Sequence, residues 1–430
     1  MGETVRVRAG EERPAYRTGL VTALDIGSSK TVCLIARAEP GSLRVIGTAL
    51  RESRGIKGGS VVDMAAAEDS IREAVGAAEN HADLRVQNVV LSVACGSPKN
   101  INTRAALALD GAIVTDSHLF SLLEEAEETC KLEDHEIVQR HPTGYVVDEA
   151  RGVKNPIGMY CQRIGVSMHG VAVRPSPFQN LKLAVERSQL GIAGTLFSAC
   201  ASGEAVLSED EKQLGATIID MGGGTTSLAV FLEGHAVFAD LVPLGGQQVT
   251  ADLARMLSAP VSAAERAKTL FGAALGDLEA SADVVAIPQM GEIGDESAIR
   301  VPRSMLTRII QARLEEIFSQ VQDRLRAGGF DVAAGRRAVL CGGACQLAGT
   351  RELASRILNK QVRIGRPRNI AGLPEASTGP DYATSVGLLM AGATLAPEML
   401  NPESVRASNE RSRSLLSRLT GGLFGRIKSL

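Results

Sequence analysis

The fold is decided by a pattern that occurs twice, as Asp25-Ile26-Gly27-Ser28-Ser29-Lys30-Thr31 and as Asp220-Met221-Gly222-Gly223-Gly224-Thr225-Thr226. Each copy follows apolar residues typical of a buried strand, Leu24 in one case and Ile218 and Ile219 in the other. An acidic residue followed by glycines and hydroxyls suits a tight hairpin whose backbone N–H groups cradle phosphate, while the carboxylate faces a hydrated divalent cation. The repetition therefore predicts two hairpins that grip one nucleotide.

The composition is that of an ordinary globular protein and argues against a nucleic-acid binder. Of 430 residues, 44% are hydrophobic and 22% are charged, and this length allows two or more domains with separate cores. A net charge of −3 and an aromatic content of 3%, with no Trp, provide neither the basic surface nor the stacking side chains of nucleic-acid binders. The polar N-terminus lacks the apolar core of a signal peptide, and no apolar run reaches membrane-spanning length.

The cysteines and histidines give no sign of a metal centre. The seven cysteines are an odd number without paired zinc-type spacing, which favours a reduced, cytosolic setting. His141 and His169 have no third ligand at a suitable spacing, so structural roles are expected for both.

Alternating strand and helix patterns predict an α/β protein built from several segments. The pattern of predicted strands and helices changes after residue 96, which indicates an insertion. A loop-like stretch over 276–300 interrupts a later helical region. The predicted segments are a first α/β subdomain (18–96, with 175–215 and 380–396), an inserted subdomain (97–174), a second α/β subdomain (216–245, with 330–379), a helical subdomain (246–329), a flexible linker (397–411) and a C-terminal amphipathic helix (412–430).

Two predicted helices are rich in small residues, one over 198–206 and one over 382–393. Small side chains let helices cross closely, so the pair is either a hinge between two halves or ordinary core packing.

Two further features favour nucleotide binding. Gly342-Gly343 follows a strand-like run, and glycine there permits close approach of backbone to ligand. Glu265 and Lys268 share one face of a predicted helix at spacing i, i+3.

Together these motifs resemble the actin, Hsp70 and sugar-kinase superfamily, which has a duplicated ribonuclease H-like α/β fold that closes on ATP. The resemblance implies that Asp25 and Asp220 orient waters bound to Mg²⁺. It implies phosphate contacts from Gly27, Ser28, Ser29, Lys30, Gly222, Gly223, Gly224, Thr225 and Thr226. The nucleoside would be surrounded by Gly245, Gly246, Glu265, Lys268, Gly342, Gly343 and Gln346.

The insertion narrows the resemblance to one family. Val153-Lys154-Asn155-Pro156-Ile157-Gly158-Met159 is similar to the FtsA family of bacterial cell-division proteins, in which a unique subdomain replaces one found in actin. That resemblance implies self-association into actin-like protofilaments, and anchoring of the tubulin-like filament FtsZ at the cytoplasmic face of the inner membrane. It also implies recruitment of later division proteins. The C-terminal peptide of FtsZ would dock on the helical subdomain near Arg308 and Arg313.

The last residues read as a membrane anchor. Apolar side chains recur at helical spacing between basic residues, a pattern typical of an interfacial helix that binds anionic lipids; docking on a protein partner or on its own domain is the alternative. Glycines within the stretch weaken the helix, so we expect it to order on lipid. The predicted lipid-facing side chains are Leu415, Leu416, Leu419, Leu423, Phe424, Ile427 and Leu430.

The sequence predicts ATP binding with weak or no hydrolysis. In hydrolysing members of the superfamily, the first connecting helix opens with an acidic or amide residue that positions water. Ser198 and Ser202 occupy that neighbourhood here, and a serine hydroxyl is a poor base. The alternatives are a kinase or chaperone-type ATPase of the superfamily and the related actin-like protein of type IV pilus assembly.

Overall fold

The structure is a computed structural model that describes residues 16, 18–276, 283–291 and 298–394. The predicted linker (397–411) and amphipathic helix (412–430) lie outside the described residues. Within those described ranges, no helix is both long enough and apolar enough to cross a bilayer.

Groups of strands are separated by helices along the chain. The strands up to residue 197 are Gly19–Ile26 (β1), Lys30–Glu39 (β2), Ser42–Glu52 (β3), Ile56–Lys57 (β4), Ser60–Val61 (β5), Asn88–Val93 (β6), Lys99–Ile113 (β7), Glu136–Val147 (β8), Ala150–Val153 (β9), Tyr160–Val173 (β10) and Gly191–Phe197 (β11). The later strands are Ala216–Met221 (β12), Thr226–Leu232 (β13), His235–Val242 (β14), Val284–Ile287 (β15), Ile299–Pro302 (β16), Arg337–Cys341 (β17) and Gln361–Ile364 (β18). The helices are Met64–Ala82 (α1), Asp116–Thr129 (α2), Pro175–Arg187 (α3), Ser198–Val206 (α4), Glu209–Leu214 (α5), Gly246–Met256 (α6), Val261–Phe271 (α7), Arg303–Ala327 (α8), Phe330–Ala333 (α9), Thr350–Leu358 (α10) and Ala383–Thr394 (α11).

Two five-stranded sheets repeat one topology. The strand order is β11-β6-β1-β2-β3 in the first sheet and β18-β17-β12-β13-β14 in the second. In each sheet three consecutive strands pair antiparallel, and the first of them also pairs parallel with a later strand. The two Asp-led sequences occupy the same place in both sheets, at the turn between the first and second strands. The predicted duplicated α/β fold is confirmed.

One hydrophobic core contains the first sheet and one face of the second sheet, and a separate core covers the other face of the second sheet. All six residues of β12 are buried, as expected for a strand covered on both faces. Helix α1 packs on β2 and β3 of the first sheet, and α8 and α10 pack together beside the second. This packing fixes the ends of β1 and β12, from which the two predicted hairpins project.

The inserted subdomain is an antiparallel sheet, β7-β10-β8-β9, with α2 packed on one face. It contacts β14 of the second half through Asn100. The Asn100 side chain accepts a hydrogen bond from the Ala239 N–H at 2.8 Å and donates one to the Ala239 carbonyl at 2.9 Å. His169 Nε2 lies 3.0 Å from Asn100 Oδ1, and His141 Nε2 lies 2.9 Å from the Ala236 carbonyl. Both histidines therefore have the structural roles predicted for them. Burial lowers the pKa of His141 to about 4 and that of His169 to about 3, so both are neutral near pH 7.

The helical region contains a strand pair that the sequence did not predict. β15 and β16 pair antiparallel with Val285 opposite Val301, so the expectation of a loop throughout 276–300 is wrong for this part. Each strand has only four residues, which is too short for a reliable alternation pattern.

The two small-residue helices, α4 and α11, cross in close contact. A Cβ added to Gly387 would lie 1.8 Å from the Ala201 carbonyl oxygen, so only glycine fits at this crossing. The predicted close crossing is confirmed, and it places hydroxyl side chains of both helices beside β12.

Candidate nucleotide-binding site

The first hairpin joins β1 to β2 through Gly27, Ser28 and Ser29. The Gly27 N–H donates to the Lys30 carbonyl at 2.9 Å and closes the turn. Ser28 is buried, and its Oγ accepts from the Gly59 N–H at 3.1 Å. The turn is therefore braced by the neighbouring loop as well as by its own strands.

The second hairpin joins β12 to β13 and has the same closure, since the Gly222 N–H donates to the Thr225 carbonyl at 2.9 Å. The first residues of α6 donate hydrogen bonds to this hairpin. The N–H groups of Gly246 and Gln247 donate to the carbonyls of Gly222 and Gly223, at 3.0 and 2.7 Å.

The two hairpins face each other directly. A Cβ on Gly223 would lie 2.9 Å from Ser29 Oγ, and one on Gly224 would lie 2.4 Å from Ser28 Oγ. Gln247 links the same two loops, because its Nε2 donates to the Ser28 carbonyl at 2.9 Å. The two loops are in close contact here, so a side chain at either glycine would require Ser28 or Ser29 to shift.

Each hairpin carries a carboxylate held by hydroxyls from other elements. Asp25 Oδ1 accepts from Ser92 Oγ at 2.7 Å, and Asp220 Oδ2 accepts from Ser202 Oγ at 2.9 Å and Thr384 Oγ1 at 2.7 Å. Burial raises the pKa of Asp25 to about 6, against the lowering effect of the Ser92 hydrogen bond, and the nearby Asp220 charge raises it further. Burial raises the pKa of Asp220 as well. Asp220 is buried and Asp25 is half-buried, and two carboxylates that repel each other in such surroundings form a site that favours a cation.

The lysine of the first hairpin is already paired. Lys30 Nζ donates to the Asp381 carbonyl at 2.7 Å and to Asp381 Oδ2 at 2.5 Å, and it lies 4.7 Å from the centre of the Tyr382 ring. Asp381 and Tyr382 immediately precede α11. Lys30 thus joins the first hairpin to the start of that helix.

The residues predicted around the nucleoside form a second group on α6 and α7. Lys268 Nζ donates to Glu265 Oε2 at 2.6 Å, to Thr250 Oγ1 at 2.9 Å and to the Gly246 carbonyl at 3.2 Å. Thr250 Oγ1 also donates to Glu265 Oε2. Gly245 lies at the hairpin side of this group, since a Cβ there would be 2.6 Å from the Gly222 carbonyl oxygen.

The Gly-Gly turn after β17 lies against the second hairpin. Gly342 has φ +83°, and a Cβ on it would come within 2.5 Å of Asp220 Oδ1. Its N–H donates to the Pro380 carbonyl at 2.9 Å. Gly343 and Gln346 are exposed in the short 3-10 helix that follows. The turn is therefore placed between β12 and the start of α11.

Several residues of this site were not predicted from sequence as site residues, namely Ser92, Ser202, Gln247, Thr250, Asp381 and Thr384. Most come from elements far along the chain from the groups they contact. Ser202 and Thr384 had one usable signal: each is a hydroxyl side chain within a helix rich in small residues.

Arg308 and Arg313 lie on α8, outside this site. Arg308 is exposed. Arg313 donates to both carboxylate oxygens of Asp252, at 2.6 and 3.0 Å, and to Glu316 at 2.5 Å. The hydrogen bonds that Arg313 donates to Asp252 raise the pKa of the Arg313 guanidinium above its usual value.

Two family models match the chain. One is described as "Cell division protein FtsA" and matches residues 217–387; the other is "SHS2 domain inserted in FTSA" and matches residues 96–172. The cell division protein FtsA of Rhizobium meliloti (strain 1021) is 40% identical over 388 residues, which cover 88% of each chain. The chain belongs to the FtsA family. The FtsA protein of Pseudomonas aeruginosa is also similar, at 32% identity over 374 residues that cover 87% of this chain and 89% of that one.

Solved structures agree on the actin-like fold of this FtsA-family chain. A PilM–PilN type IV pilus biogenesis complex is similar at a TM-score of 0.58 and 16% identity, covering 87% of this chain and 98% of that one. MreB5 of Spiroplasma citri bound to ADP is similar at a TM-score of 0.50 and 13% identity, covering 87% and 96%. At these identities the likeness concerns the fold alone. The family assignment makes the chain an actin-like cell-division protein, which sets it apart from the pilus, kinase and chaperone alternatives.

The donor set of this FtsA-family site suits a cation held through water. Among the residues that the structure describes, no group of three or more His, Cys, Asp or Glu side chains could hold a metal ion directly. Asp25 and Asp220 are only two carboxylates, whereas Mg²⁺ commonly keeps several waters and takes further oxygens from phosphates. Both residues fit the predicted role of orienting Mg²⁺-bound water.

Proposed function

We propose that this chain binds Mg²⁺ and ATP between its two hairpins and uses the nucleotide to hold the two halves of the molecule in one shape. The observation that carries the proposal is the direct apposition of Gly223 and Gly224 with Ser28 and Ser29. Equivalent turns from two copies of one sheet meet there, each next to a carboxylate. MreB5, which shares the fold, was solved bound to ADP.

The hairpins fit a phosphate chemically. The N–H groups of Gly223 and Gly224 have no acceptor among the described residues, so they remain available to an anion. Bound ATP would bring phosphate oxygens for these donors, while Asp25 and Asp220 orient the waters of Mg²⁺.

Slow or absent hydrolysis follows from the side chains on α4. Ser198 Oγ lies 2.8 Å from Ser227 Oγ, and Ser202 Oγ donates to Asp220. Both hydroxyls are buried and already hydrogen-bonded. A hydroxyl at its ordinary pKa is a poor general base, so neither activates water well.

We further propose that the protein polymerises on the cytoplasmic face of the inner membrane, anchors FtsZ there and helps to recruit later division proteins. We place the contact with the C-terminal peptide of FtsZ at Arg308, which is exposed. Arg313 supports this surface by holding α8 to α6 through Asp252.

Membrane attachment is assigned to residues 412–430 on the sequence alone. Burial of the seven predicted lipid-facing side chains contributes roughly 1.5 to 3 kcal/mol each. Ordering the segment costs about 1 kcal/mol per residue or more, so one tail binds weakly and reversibly. Several tails on one polymer bind by avidity, which couples self-association to anchoring.

Liposome co-sedimentation with Mg²⁺-ATP and FtsZ tests this tether. We expect the intact chain to pellet with vesicles containing anionic lipid and to bring FtsZ with it, because the tail binds lipid and α8 binds the peptide. A chain ending at Ser408 should leave both proteins in the supernatant. Arg308→Glu should pellet normally but bring several-fold less FtsZ, whereas Arg54→Glu, an exposed substitution in the first half, should behave as wild type. Equal pelleting of the intact and shortened chains would refute the anchor.

A further inference from the structure

Asp381 holds the one lysine of the first hairpin. Both of its hydrogen bonds with Lys30 are short, 2.7 Å to its carbonyl oxygen and 2.5 Å to Oδ2. The side chains are 22% and 24% exposed, so solvent screens the pair less than an ordinary surface ion pair. The ring of Tyr382 covers the ammonium at 4.7 Å. This arrangement fixes the direction of the Lys30 side chain.

The pair lies within the candidate site. Burial is the main cause of the raised pKa of Asp25 and of Asp220, and the positive charge of Lys30 opposes the rise in both. Lys30 therefore lies close enough to act on both hairpin carboxylates. Asp381 also adjoins the Gly-Gly turn, because its neighbour Pro380 accepts from the Gly342 N–H at 2.9 Å. The Lys30 ammonium thus interacts with three carboxylates, those of Asp381, Asp25 and Asp220.

We propose that Asp381 is a positioning residue that neutralises Lys30 and thereby weakens the hold of this chain on nucleotide phosphates. The inference rests on the proposed function of the site. A lysine ammonium has three N–H donors, and two of them are directed at Asp381. A phosphate that binds Lys30 must share or replace these bonds with Asp381. The residue therefore sets the affinity for phosphate-bearing ligands and leaves recognition of the nucleoside unaffected.

Calorimetric titration of the full chain with Mg²⁺-ATP, Mg²⁺-ADP and adenosine tests this assignment. We expect Asp381→Asn to bind ATP and ADP about tenfold more tightly, because the Lys30 ammonium loses its ion pair and its charge becomes available to the phosphates. Adenosine has no phosphate, so its affinity should not change. Asp381→Glu keeps the charge and should stay near wild type. Glu73→Gln, the equivalent change at the exposed ion pair with Arg54, should leave all three affinities unchanged.

Repeating the Asp381→Asn substitution in a Lys30→Ala variant shows whether Asp381 acts on phosphate affinity through Lys30 or through its charge alone. In Lys30→Ala, the further change Asp381→Asn should alter ATP affinity less than twofold. The proposal is overturned if Asp381→Asn binds ATP no more tightly than wild type, if adenosine gains equally, or if the full gain persists without Lys30. A wild-type chain that binds no ATP would instead refute the proposed function, so the two failures are distinguishable.

Discussion

Asp25 and Asp220 occupy the same position in two copies of one sheet, yet their surroundings differ. Asp25 accepts one hydrogen bond from a hydroxyl group, that of Ser92 on the adjacent strand β6. Asp220 accepts two such hydrogen bonds, from hydroxyl groups on helices α4 and α11. More hydrogen bonds stabilise the ionised form of a buried carboxylate. We infer that Asp25 is the carboxylate whose charge is more sensitive to pH and to a bound cation.

Replacing Asp25 by Asn should stabilise the protein and should remove the effect of Mg²⁺ on ATP affinity. A carboxyl whose pKa is raised to about 6 favours folding below its unfolded pKa, and that contribution is lost as pH rises through about 6. At pH 7 the ionised group therefore costs on the order of 2 kcal/mol. We expect thermal unfolding of Asp25→Asn at a higher temperature than wild type at pH 7, and at a similar temperature near pH 4. ATP affinity should no longer increase when Mg²⁺ is added.

The matched control is Asp69→Asn, which removes an exposed carboxylate on α1 and should change stability by less than about 0.5 kcal/mol. If Asp25→Asn unfolds at a lower temperature than wild type at pH 7, then the ionised Asp25 carboxylate does not destabilise the fold as predicted.

At the scale of elements, the crossing of α4 with α11 connects the hydroxyls around Asp220 to the packing between the halves. Ser202 lies on α4 and Thr384 on α11, and their hydroxyl oxygens are 2.9 Å apart. Because both hydroxyls also bind Asp220, any shift of one helix on the other moves the groups that hold the second hairpin. The crossing is thus coupled to the site whether it acts as a hinge or as rigid packing.

Gly387→Ala should disrupt this crossing. The added methyl would lie 1.8 Å from the Ala201 carbonyl oxygen, so the helices must separate, and we expect a loss of about 2–3 kcal/mol in the free energy of unfolding. Gly76→Ala in α1 is the matched control, because a Cβ there has nothing within 4 Å and should add about 0.5–1 kcal/mol. Denaturant unfolding measures both. Unchanged stability in Gly387→Ala would contradict the close crossing.

The sequence predicted elements well where the pattern was local. Helix α4 was predicted with the bounds the structure has, since its small residues follow directly on strand β11. The fifteen-residue strand β7 lies in the predicted insertion, but the polar and apolar side chains of its first half gave no clear signal for its bounds. The pairing of Lys30 with Asp381 spans 351 positions, and no local pattern indicates a contact at that distance.

At the scale of the whole molecule, two copies of one sheet bring their hairpins together, with Gly223 and Gly224 on one side and Ser28 and Ser29 on the other. A ligand that binds both loops stabilises the arrangement of the halves in which both loops reach it. On this account ATP acts as a structural ligand of an FtsA-family protein, and polymerisation and tethering depend on the shape it holds.

Equilibrium titration of the intact chain with Mg²⁺-ATP, followed by phosphate release in the same sample, tests this claim most directly. We predict one saturable ATP site per chain, with weaker binding in Gly224→Ala because its methyl would lie 2.4 Å from Ser28 Oγ and force the hairpins apart. We also predict that phosphate release stays slow after the site is full. Failure to bind ATP, or turnover as fast as that of a sugar kinase, would contradict the account.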